Sequence, residues 1–464
     1  MGIRFTGLWH HPDFRRLWSA QAASLIGSQV SFLALPLLAT LTLNASPLQI
    51  GILAAAGALP ALLFGLFAGV WVDRLRRRPL LIAADLGRAL LLLSIPLAAI
   101  LDALRIEYLY VVAFFNGALT LVFDVAHQSL LPALVGREQL VEGNSKLELS
   151  RSAAEIGGPG LAGGLIQMLT PPFALAVDAL SYLLSALLLG RIRAAEPAPS
   201  SPTTRRNIRR EIEEGLRAVF GSPLLRPLAL GTATVVYFSS LLEAVFFLYL
   251  ARTLQLAPIV QGVIFATGNI GFLVGAVVAE RAARRFGIGP TLAGAVLLVG
   301  VADLAVPAAS VVPLPAAALL VAAQCCFGIG IVAYNINAVS LRQALTPDHL
   351  QGRVNASFRF LAQGIVPLGA LLGGVLGERF GIRPTLLIGA VGELTAVVWL
   401  LLPSVRRAAM PADPLEEPSH PRIGEEPGGL VRRSSMVMHI RRRSVPMLLT
   451  SICSTYASCY VYRI

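Results

Sequence analysis

Apolar residues are arranged along this chain in long runs that no charged residue interrupts. Leu17 to Leu43 is uncharged over 27 positions, and Leu48 to Val72 is uncharged over 25. A helix needs roughly 20 predominantly apolar residues to cross the hydrocarbon of a bilayer. The runs therefore predict membrane-spanning helices rather than the core of a soluble protein. The first run is too long for a cleavable signal peptide, so we expect it to be retained.

The apolar runs and their polar breaks predict twelve spans, which a long polar segment divides six and six. The expected organisation is an N-terminal six-helix bundle over 1–190, a cytoplasmic linker with an amphipathic helix over 191–222, a C-terminal six-helix bundle over 223–405, and a disordered cytoplasmic tail over 406–464. The predicted spans lie near 16–43, 48–72, 79–101, 107–134, 146–170, 172–190, 224–251, 258–280, 290–311, 313–341, 354–377 and 383–403.

Basic residues are distributed unequally between alternate breaks. One set of breaks is rich in arginine, whereas the other set contains few basic residues. Those few are Arg105, Arg252, Arg379 and Arg383. Because Lys and Arg are retained on the cytoplasmic side of a membrane, this alternation predicts a multi-pass protein of the plasma membrane, the inner one in bacteria, with both termini cytoplasmic. Topology explains the formal net charge of +12, so no nucleic-acid partner is expected.

Composition and motifs exclude several other classes of protein. The chain is 55% hydrophobic and only 14% charged, with a mean hydropathy of +0.71, which leaves too little polar surface for a soluble particle. The cysteines and histidines show no metal-ligand spacing. The sequence contains no Walker loop and no nucleophile motif. We therefore expect no cofactor, no direct use of ATP and no enzymatic activity.

The two halves of the chain resemble each other, as they do in transporters built from internal repeats. Three correspondences between the halves carry this interpretation. They join Gly65, Gly69 and Asp73-Arg74 to Gly271, Gly275 and Glu280-Arg281; Gln128 and Pro132 to Gln343 and Pro347; and Pro159 and Gly163-Gly164 to Pro367 and Gly373-Gly374.

Charged residues within the spans each cost roughly 2.5 to 3.5 kcal/mol on insertion, so each needs a partner or a cavity. Asp85 and Arg88 are three residues apart, and Arg151 and Glu155 are four apart. We expect each pair to be satisfied within its own helix. Three further embedded acids are expected to cap the ends of spans. They are Asp178, Asp303 and Glu393.

The loop between spans two and three resembles the signature loop of the major facilitator superfamily. Its sequence is Gly69-Val-Trp-Val-Asp73-Arg74-Leu-Arg-Arg77-Arg78. Three further motifs resemble the branch of enterobactin-type siderophore exporters and macrolide efflux proteins, namely Phe14-Arg15-Arg16-Leu17-Trp18, Asp85-x-x-Arg88 and Gln128-x-x-x-Pro132-x-Leu134-Val135. The resemblance covers about residues 10–405. It implies an all-α polytopic membrane protein with twelve transmembrane helices in two pseudo-symmetric six-helix bundles.

This sequence departs from that branch at one position. Many of its members carry an acid just after the glycine of span one, where this chain has Gly27-Ser28. No coupling role is therefore assigned to that position.

The signature loop is a candidate conformational gate. An acid in so tight a break is able to lie against a helix N-terminus or to pair with an arginine. The resemblance implies that Asp73 contacts the start of span eleven, around 353–357, and locks the halves together when the cavity opens outward. The alternative is that the arginines only anchor topology. The residues of the implied gate are Gly69, Asp73, Arg74, Arg77 and Arg78.

Span five contains a run of small residues that resembles the antiporter motif of the family's exporters. Its members are Gly157, Gly158, Pro159, Gly160, Gly163 and Gly164. Small residues let helices approach closely, and proline permits a bend. The alternative is helix packing with no bearing on transport direction. A dinucleotide site is rejected because no strand precedes the glycines.

Spans one, four, seven and ten line the central cavity in this family, so their polar residues are candidate ligands. Asp124 and Glu243 have no obvious partner on their own helices and are the leading candidates for a proton or cationic-substrate site. The uncharged candidates have interhelical hydrogen bonding as their alternative role. They are Gln29, Asn116, Gln128, Tyr237, Tyr334, Asn335 and Asn337.

The expected protein is a monomeric secondary exporter, coupled to a proton or other ion gradient, that alternates between inward-open and outward-open states. Its expected substrate is an amphipathic small molecule such as a siderophore, a macrolide or another drug. Two alternatives stay open. One is an importer or lipid flippase of the same fold, and the other is a transport-dead membrane scaffold or sensor.

Overall fold

The computed structural model describes residues 7–72, 75–193 and 208–406, and in this part of the chain the fold is almost entirely helical. The helices in chain order are α1 (Pro12–Leu37), α2 (Pro47–Val72), α3 (Arg77–Ile100), α4 (Ile106–Leu134), α5 (Leu140–Leu169), α6 (Pro171–Gly190), α7 (Ile208–Gly221), α8 (Leu225–Leu248), α9 (Pro258–Phe286), α10 (Ile288–Ala308), α11 (Ala316–Leu345), α12 (Asp348–Phe380), α13 (Ile382–Leu394), α14 (Ala396–Leu400) and α15 (Pro403–Arg406).

Eleven helical segments in the described part of the chain are long and apolar enough to cross a membrane, with α13 and α14 counted as one span. The twelfth span is α5, which is less apolar because its first half carries several charged residues. It nevertheless packs lengthwise between α1 and α9, inside the bundle. The structure thus confirms twelve transmembrane helices. The predicted amphipathic stretch is also helical and forms α7.

The two halves repeat the same arrangement of helices. In the N-terminal half α1 packs on α5 and α6, α3 packs on α4 and α6, and α2 packs on α4. In the C-terminal half the same roles fall to α8 with α12 and α13, α10 with α11 and α13, and α9 with α11. Each half is therefore a six-helix bundle, and the pseudo-symmetric fold is confirmed.

Backbone details repeat as well as helix positions. The helices α1 and α8 each end in a π-helical turn, Leu38–Thr42 and Tyr249–Thr253. In the loop after each turn one residue has a positive φ, which is 50° at Asn44 and 51° at Gln255. Few residues other than glycine adopt this conformation. The same unusual backbone at matching sites indicates that the halves share one template.

Two helix pairs join the halves by direct backbone contact, α2 with α12 and α5 with α9. A Cβ atom at Gly374 would lie 3.0 Å from the carbonyl oxygen of Pro47 and 3.1 Å from the Cα of Leu48. At the equivalent site, a Cβ atom at Gly163 would lie 2.9 Å from the Cα of Ile259. Glycine therefore permits this approach, and a larger residue would push the halves apart.

The bundle has two ends, which we name by the chain segments found there. The linker face is the end where α2 leads into α3 and α6 leads toward α7, and the far face is the opposite end. Toward the far face, one hydrophobic cluster joins both halves, for example Leu37 with Val245. Arg252 there donates a hydrogen bond of 3.2 Å to the carbonyl of Thr40. Two further clusters lie toward the linker face, and each belongs to one half only.

The residue correspondences drawn from the sequence are wrong, although the repeat itself is real. A Cβ atom at Gly65 would have no neighbour within 4 Å, whereas one at Gly271 would lie 3.1 Å from the Cα of Cys325. The carbonyl of Pro159 packs on α9 in the way that the carbonyl of Ala370, not a proline, packs on α2. Glycines and prolines recur near helix ends for local reasons, whereas spatial equivalence is fixed by packing between helices.

The far-face contacts generate a stability prediction. Gly163→Val is expected to destabilise the protein by about 1–3 kcal/mol, because the new side chain would meet the backbone of α9. Gly157→Val is the matched control, since a Cβ atom there has no neighbour within 4 Å. Thermal unfolding of the purified protein in detergent compares the two. Equal melting temperatures would contradict the proposed contact.

Candidate functional site

The N-terminal half contains a cavity with a polar wall, bounded by α1, α3, α4, α5 and α6 and closed on one side by α9 of the other half. Four of the predicted candidates line it, and they come from α1 and α4. They are Gln29, Asn116, Asp124 and Gln128. Further polar groups on the wall were not predicted as ligands. They include Ser28, Ser31, Arg88, His127, Arg151, Glu155, Tyr182 and Asn269.

Aromatic rings from both halves lie at the far-face end of this cavity. Phe32 of α1 packs against Phe265 of α9 and Phe247 of α8, with ring centroids 5.4 and 5.7 Å apart. Phe247 and Phe265 are stacked at 5.2 Å. Rings from both halves therefore meet at this end of the cavity.

A second cavity lies in the C-terminal half, between α8, α11, α12 and the facing part of α2. Glu243, Tyr334 and Asn335 line it, as the sequence predicts. Most of its other lining residues are apolar. The Tyr334 hydroxyl lies 2.8 Å from the hydroxyl of Thr232, which ties α11 to α8.

Two predicted ligand candidates are absent from the walls of these two cavities. Tyr237 packs edge-on against Phe238, with ring centroids 5.2 Å apart. Asn337 is 3% exposed and donates hydrogen bonds to the carbonyls of Ala333 at 2.8 Å and Ala279 at 3.4 Å. The alternative role of interhelical hydrogen bonding therefore holds for Asn337, which ties α11 to α9.

The two cavities occupy equivalent places in the repeat but differ in chemistry. Positions at the same spacing in sequence line both of them, and the N-terminal member of most pairs is the more polar one. Four such pairs are Asp124 with Asn335, Arg151 with Ala362, Glu155 with Val366, and Phe32 with Glu243. One wall is thus charged, and the other is largely apolar with a carboxylate at one edge.

Arg88 is the central cation of the N-terminal cavity. It forms an ion pair with Asp85 on the same helix, and the two side chains are 3% and 0% exposed. The expected pairing is confirmed. The guanidinium also lies 4.3 Å from the ring centroid of Phe123 and 4.2 Å from that of Tyr182, within cation–π range. Helices α3, α4 and α6 together hold this charge at the cavity wall.

The expected pairing of Arg151 with Glu155 is wrong. No ion pair or hydrogen bond joins these side chains among the described residues, and both line the cavity instead. The buried Oε1 of Glu155 has no hydrogen-bond partner in the described structure. The Glu155 carbonyl accepts a hydrogen bond from Asn269 of α9, which bridges the halves. Arg151 and Glu155 both line the cavity. A spacing of four residues therefore permits an ion pair on α5, but the pair is not formed here.

The expected capping role of the remaining acids is wrong for Asp178, which lies in the middle of α6. Asp178 is 0% exposed and accepts a hydrogen bond from Ser31 of α1. Glu393, near the end of α13, accepts a 2.6 Å hydrogen bond from Ser239 of α8. Asp303 is buried within α10. The sequence signal for Asp178 and Glu393 is a carboxylate within an apolar helix. This signal singles out the residue as a candidate, but it does not predict which neighbouring helix the residue contacts.

The antiporter-like motif lies at the junction of the halves. Gly158 packs against Gln29, where a Cβ atom would lie 2.7 Å from the Gln29 Cβ. The carbonyl of Pro159 packs against Gly262 of α9. The other motif glycines, apart from Gly163, would carry a Cβ atom without close contact. They are Gly157, Gly160 and Gly164.

The candidate gate is only partly described. Gly69 lies in the last turn of α2, and Asp73 and Arg74 fall outside the described residues, as does the tail over 407–464. Arg77 and Arg78 form the first turn of α3. The Nε of Arg78 donates a 2.9 Å hydrogen bond to a carbonyl at the end of α6, which is a contact within one half.

Helix α7 covers the segment that the resemblance assigns to the gate. Glu214 forms an ion pair with Arg353 at the start of α12. A Cβ atom at Gly215 would lie 2.7 Å from the carbonyl oxygen of Arg353. The linker helix therefore occupies the start of α12 in this conformation.

The fold and these cavities define a membrane transporter, and the chain belongs to the Major Facilitator Superfamily, whose model matches residues 17–365 and 228–462. It is 31% identical over 396 residues to the multidrug efflux pump Tap of Mycolicibacterium fortuitum, covering 84% of this chain and 95% of that pump. It is 22% identical over 408 residues to macrolide efflux protein A of Streptococcus pyogenes, covering 84% and 95%. Proteins of this class bind small-molecule substrates in a lipid bilayer.

A solved structure shares the fold. The crystal structure of a bacterial homologue of the iron transporter ferroportin in the inward-facing state matches with a TM-score of 0.69 at 18% identity, covering 85% of this chain and 98% of that one. At this identity the likeness concerns the architecture of the bundles.

The buried ion pair generates a second prediction. Arg88→Met is expected to destabilise the protein by roughly 3–5 kcal/mol, because Asp85 would stay buried without its cation. Adding Asp85→Asn is expected to restore part of the lost stability. Thermal unfolding in detergent measures both variants, and a double variant no more stable than the single one would contradict the pairing energetics.

Proposed function

We propose that the protein is a secondary exporter that moves an amphipathic small molecule by alternating access, coupled to a proton or other ion gradient. The observation that carries the proposal is the pair of equivalent cavities with unlike walls, one charged and one largely apolar. A siderophore, a macrolide or a cationic drug has both polar and apolar surfaces for such walls. The efflux relatives support the outward direction.

The linker face is proposed to be cytoplasmic, since its breaks carry most of the arginines. With this orientation, the joined far face is external, and the conformation described here is the inward-facing one. Bundles 1–190 and 223–405 then rock about the far-face glycine contacts, with 191–222 as a cytoplasmic linker. We propose that a single chain suffices, since both cavities lie within it.

Acidic groups outnumber guanidinium groups around the N-terminal cavity. The acids are Asp85, Asp124, Glu155 and Asp178, and the guanidinium groups belong to Arg88 and Arg151. Excess negative charge within a membrane favours uptake of protons or of a cationic ligand. Asp124 is proposed to bind the cationic part of the substrate or a proton, with Glu243 as the carboxylate of the apolar wall.

The gate is proposed to act in the opposite conformation. When the linker face closes, Asp73 would replace Glu214 of α7 at the start of α12, with Gly69, Arg74 and Arg77 shaping the same loop. The ion pair between Glu214 and Arg353 would then hold the conformation described here. In this scheme α7 and the signature loop compete for one site.

Efflux from intact cells tests the proposed function. Adding a protonophore, which collapses the proton gradient, is expected to raise the retention of ethidium in the cells. Asp124→Asn is expected to slow efflux about tenfold by loss of a substrate contact, and Asp73→Asn about tenfold by loss of a gate contact. Asp102→Asn is the matched control, because Asp102 is an exposed loop residue with φ of 52°, which asparagine tolerates.

The alternatives give different results in the same cells. An importer or flippase would make cells accumulate the probe or redistribute lipid. A transport-dead scaffold would keep its function after loss of both Asp124 and Glu243. Efflux that is unaffected by Asp124→Asn at normal membrane abundance would contradict the assigned role of Asp124.

A further inference from the structure

Asp178 is a carboxyl group enclosed by protein at the middle of α6. It is 0% exposed, and its hydrogen bonds in the described structure come from hydroxyl groups, Ser31 of α1 and Ser181 at 3.0 Å. Neither donor carries a charge. An ionised carboxylate in this place has its charge dispersed only by hydroxyl dipoles and by more distant groups.

The backbone of α1 makes room for this carboxyl group. A Cβ atom at Gly27 would lie 2.7 Å from the Cβ of Ser181 and would also collide with a carboxylate oxygen of Asp178. Glycine at this position thus lets α6 press its carboxyl group against α1.

The repeat shows that the fold does not require a polar group at this place. In the C-terminal half, the positions equivalent to Ser31 and Asp178 are Leu242 and Gly389, which pack together. The equivalent of Gly27 is Phe238, whose ring fills the space beside Gly392. Apolar residues fill the equivalent site of the C-terminal half. Packing alone therefore does not explain why the N-terminal half has a carboxyl group there.

Ser31 connects the enclosed carboxyl group to the cavity. Its side chain lines the N-terminal cavity and donates to Asp178 at the same time. Ser28 and Tyr182 line the cavity beside it, with their hydroxyl oxygens 3.0 Å apart. A hydroxyl group is able to accept a proton from water on one side while donating its own on the other.

The charged neighbours of Asp178 come from α3. Arg88 attracts the Asp178 carboxylate, and Asp85 repels it. Helix α1 offers hydroxyl groups, α6 adds Tyr182, and the charged residues of α5 that line the cavity are Arg151 and Glu155. The described structure places Arg88 in an ion pair with Asp85, so the carboxylate of Asp178 has no cation in direct contact with it, and a single proton neutralises its charge.

We propose that Asp178 binds the coupling proton of the transport cycle, with Ser31 as the relay from the cavity. The carboxylate takes one proton from cavity water, becomes a neutral carboxylic acid, and returns the proton when the cavity opens to the other side. The attraction between Asp178 and Arg88 then weakens, and Arg88 presents more of its charge to the cavity. This inference rests on the proposed exporter function and names the residue that carries its ion.

The test uses the full-length protein in proteoliposomes with ethidium as the probe. Two assays separate the steps, ethidium exchange at equal pH and ethidium-driven proton movement reported by a pH dye. Asp178→Asn is expected to keep exchange but to lose proton movement about tenfold. Glu393→Gln is the matched control, a buried carboxyl group that also accepts from a serine, and it is expected to keep both.

A readout that needs no transport accompanies these assays. The pH-difference infrared spectrum of the purified protein is expected to contain a carboxylic-acid C=O band that Asp178→Asn removes and Glu393→Gln retains. Ser31→Ala is expected to shift the frequency of this band, because the variant removes a hydrogen bond from the same group. Ser31→Ala also serves where Asp178→Asn does not reach the membrane.

The outcomes separate this inference from the proposed function. Proton movement at the wild-type rate in Asp178→Asn overturns the inference, and so does an infrared spectrum that neither Asp178→Asn nor Ser31→Ala changes. A wild-type protein that moves neither ethidium nor protons counts against the proposed function, while the infrared spectrum still decides whether Asp178 titrates.

Discussion

Backbone contact between the two halves at the far face is the constraint on which the other features depend. Pro47 and Leu48 lie against Gly374, and Ile259 lies against Gly163, with no side chain between the helices. Such contacts fix α2 on α12 and α5 on α9 toward the far face. The hydrophobic clusters near the linker face each belong to one half. The positions of the glycines that hold the halves together at the far face therefore determine the shape of the space between the halves.

The repeat gives each half the same cavity, and the side chains then make the two cavities unlike. Some corners of the backbone are shared to the level of single dihedral angles: the corner before α6 has Thr170 at φ 65°, and the corner before α13 has Gly381 at 89°. Glycine adopts this angle without strain, whereas threonine does not. The shared backbone conformation at this corner is thus kept even where the residue does not favour it. Because the backbone fixes the positions of the side chains, the side chains of the two halves are able to differ in chemistry without a change of fold.

Sequence reasoning reached whatever is encoded over one helix and its flanks. The spans, the helix α7 and the pairing of Asp85 with Arg88 follow from run length, periodicity and spacing within a helix. The partner of Asp178 could not be predicted in this way. A helix whose neighbours are lipid and other apolar helices has too few polar residues to indicate which of its faces packs on which helix. The same limit explains Arg151 and Glu155, whose spacing permits a pair that the cavity does not produce. It also explains Asn337, whose face is fixed by packing on α9.

Burial separates the proposed tasks of the two kinds of acid. A carboxylate on a cavity wall, such as Asp124, lies within reach of cations of different sizes, so its position alone does not distinguish a proton from a substrate. Asp178 is closed off by Gly27 and reached through Ser31, and a hydroxyl group passes protons but no larger cation. Selectivity for the proton then needs no special affinity, only enclosure. Arg88 lines the cavity and also attracts the enclosed carboxylate electrostatically, so its charge acts on both. A change of charge on either side is therefore felt on the other, which is the physical requirement for exchanging one cation against another.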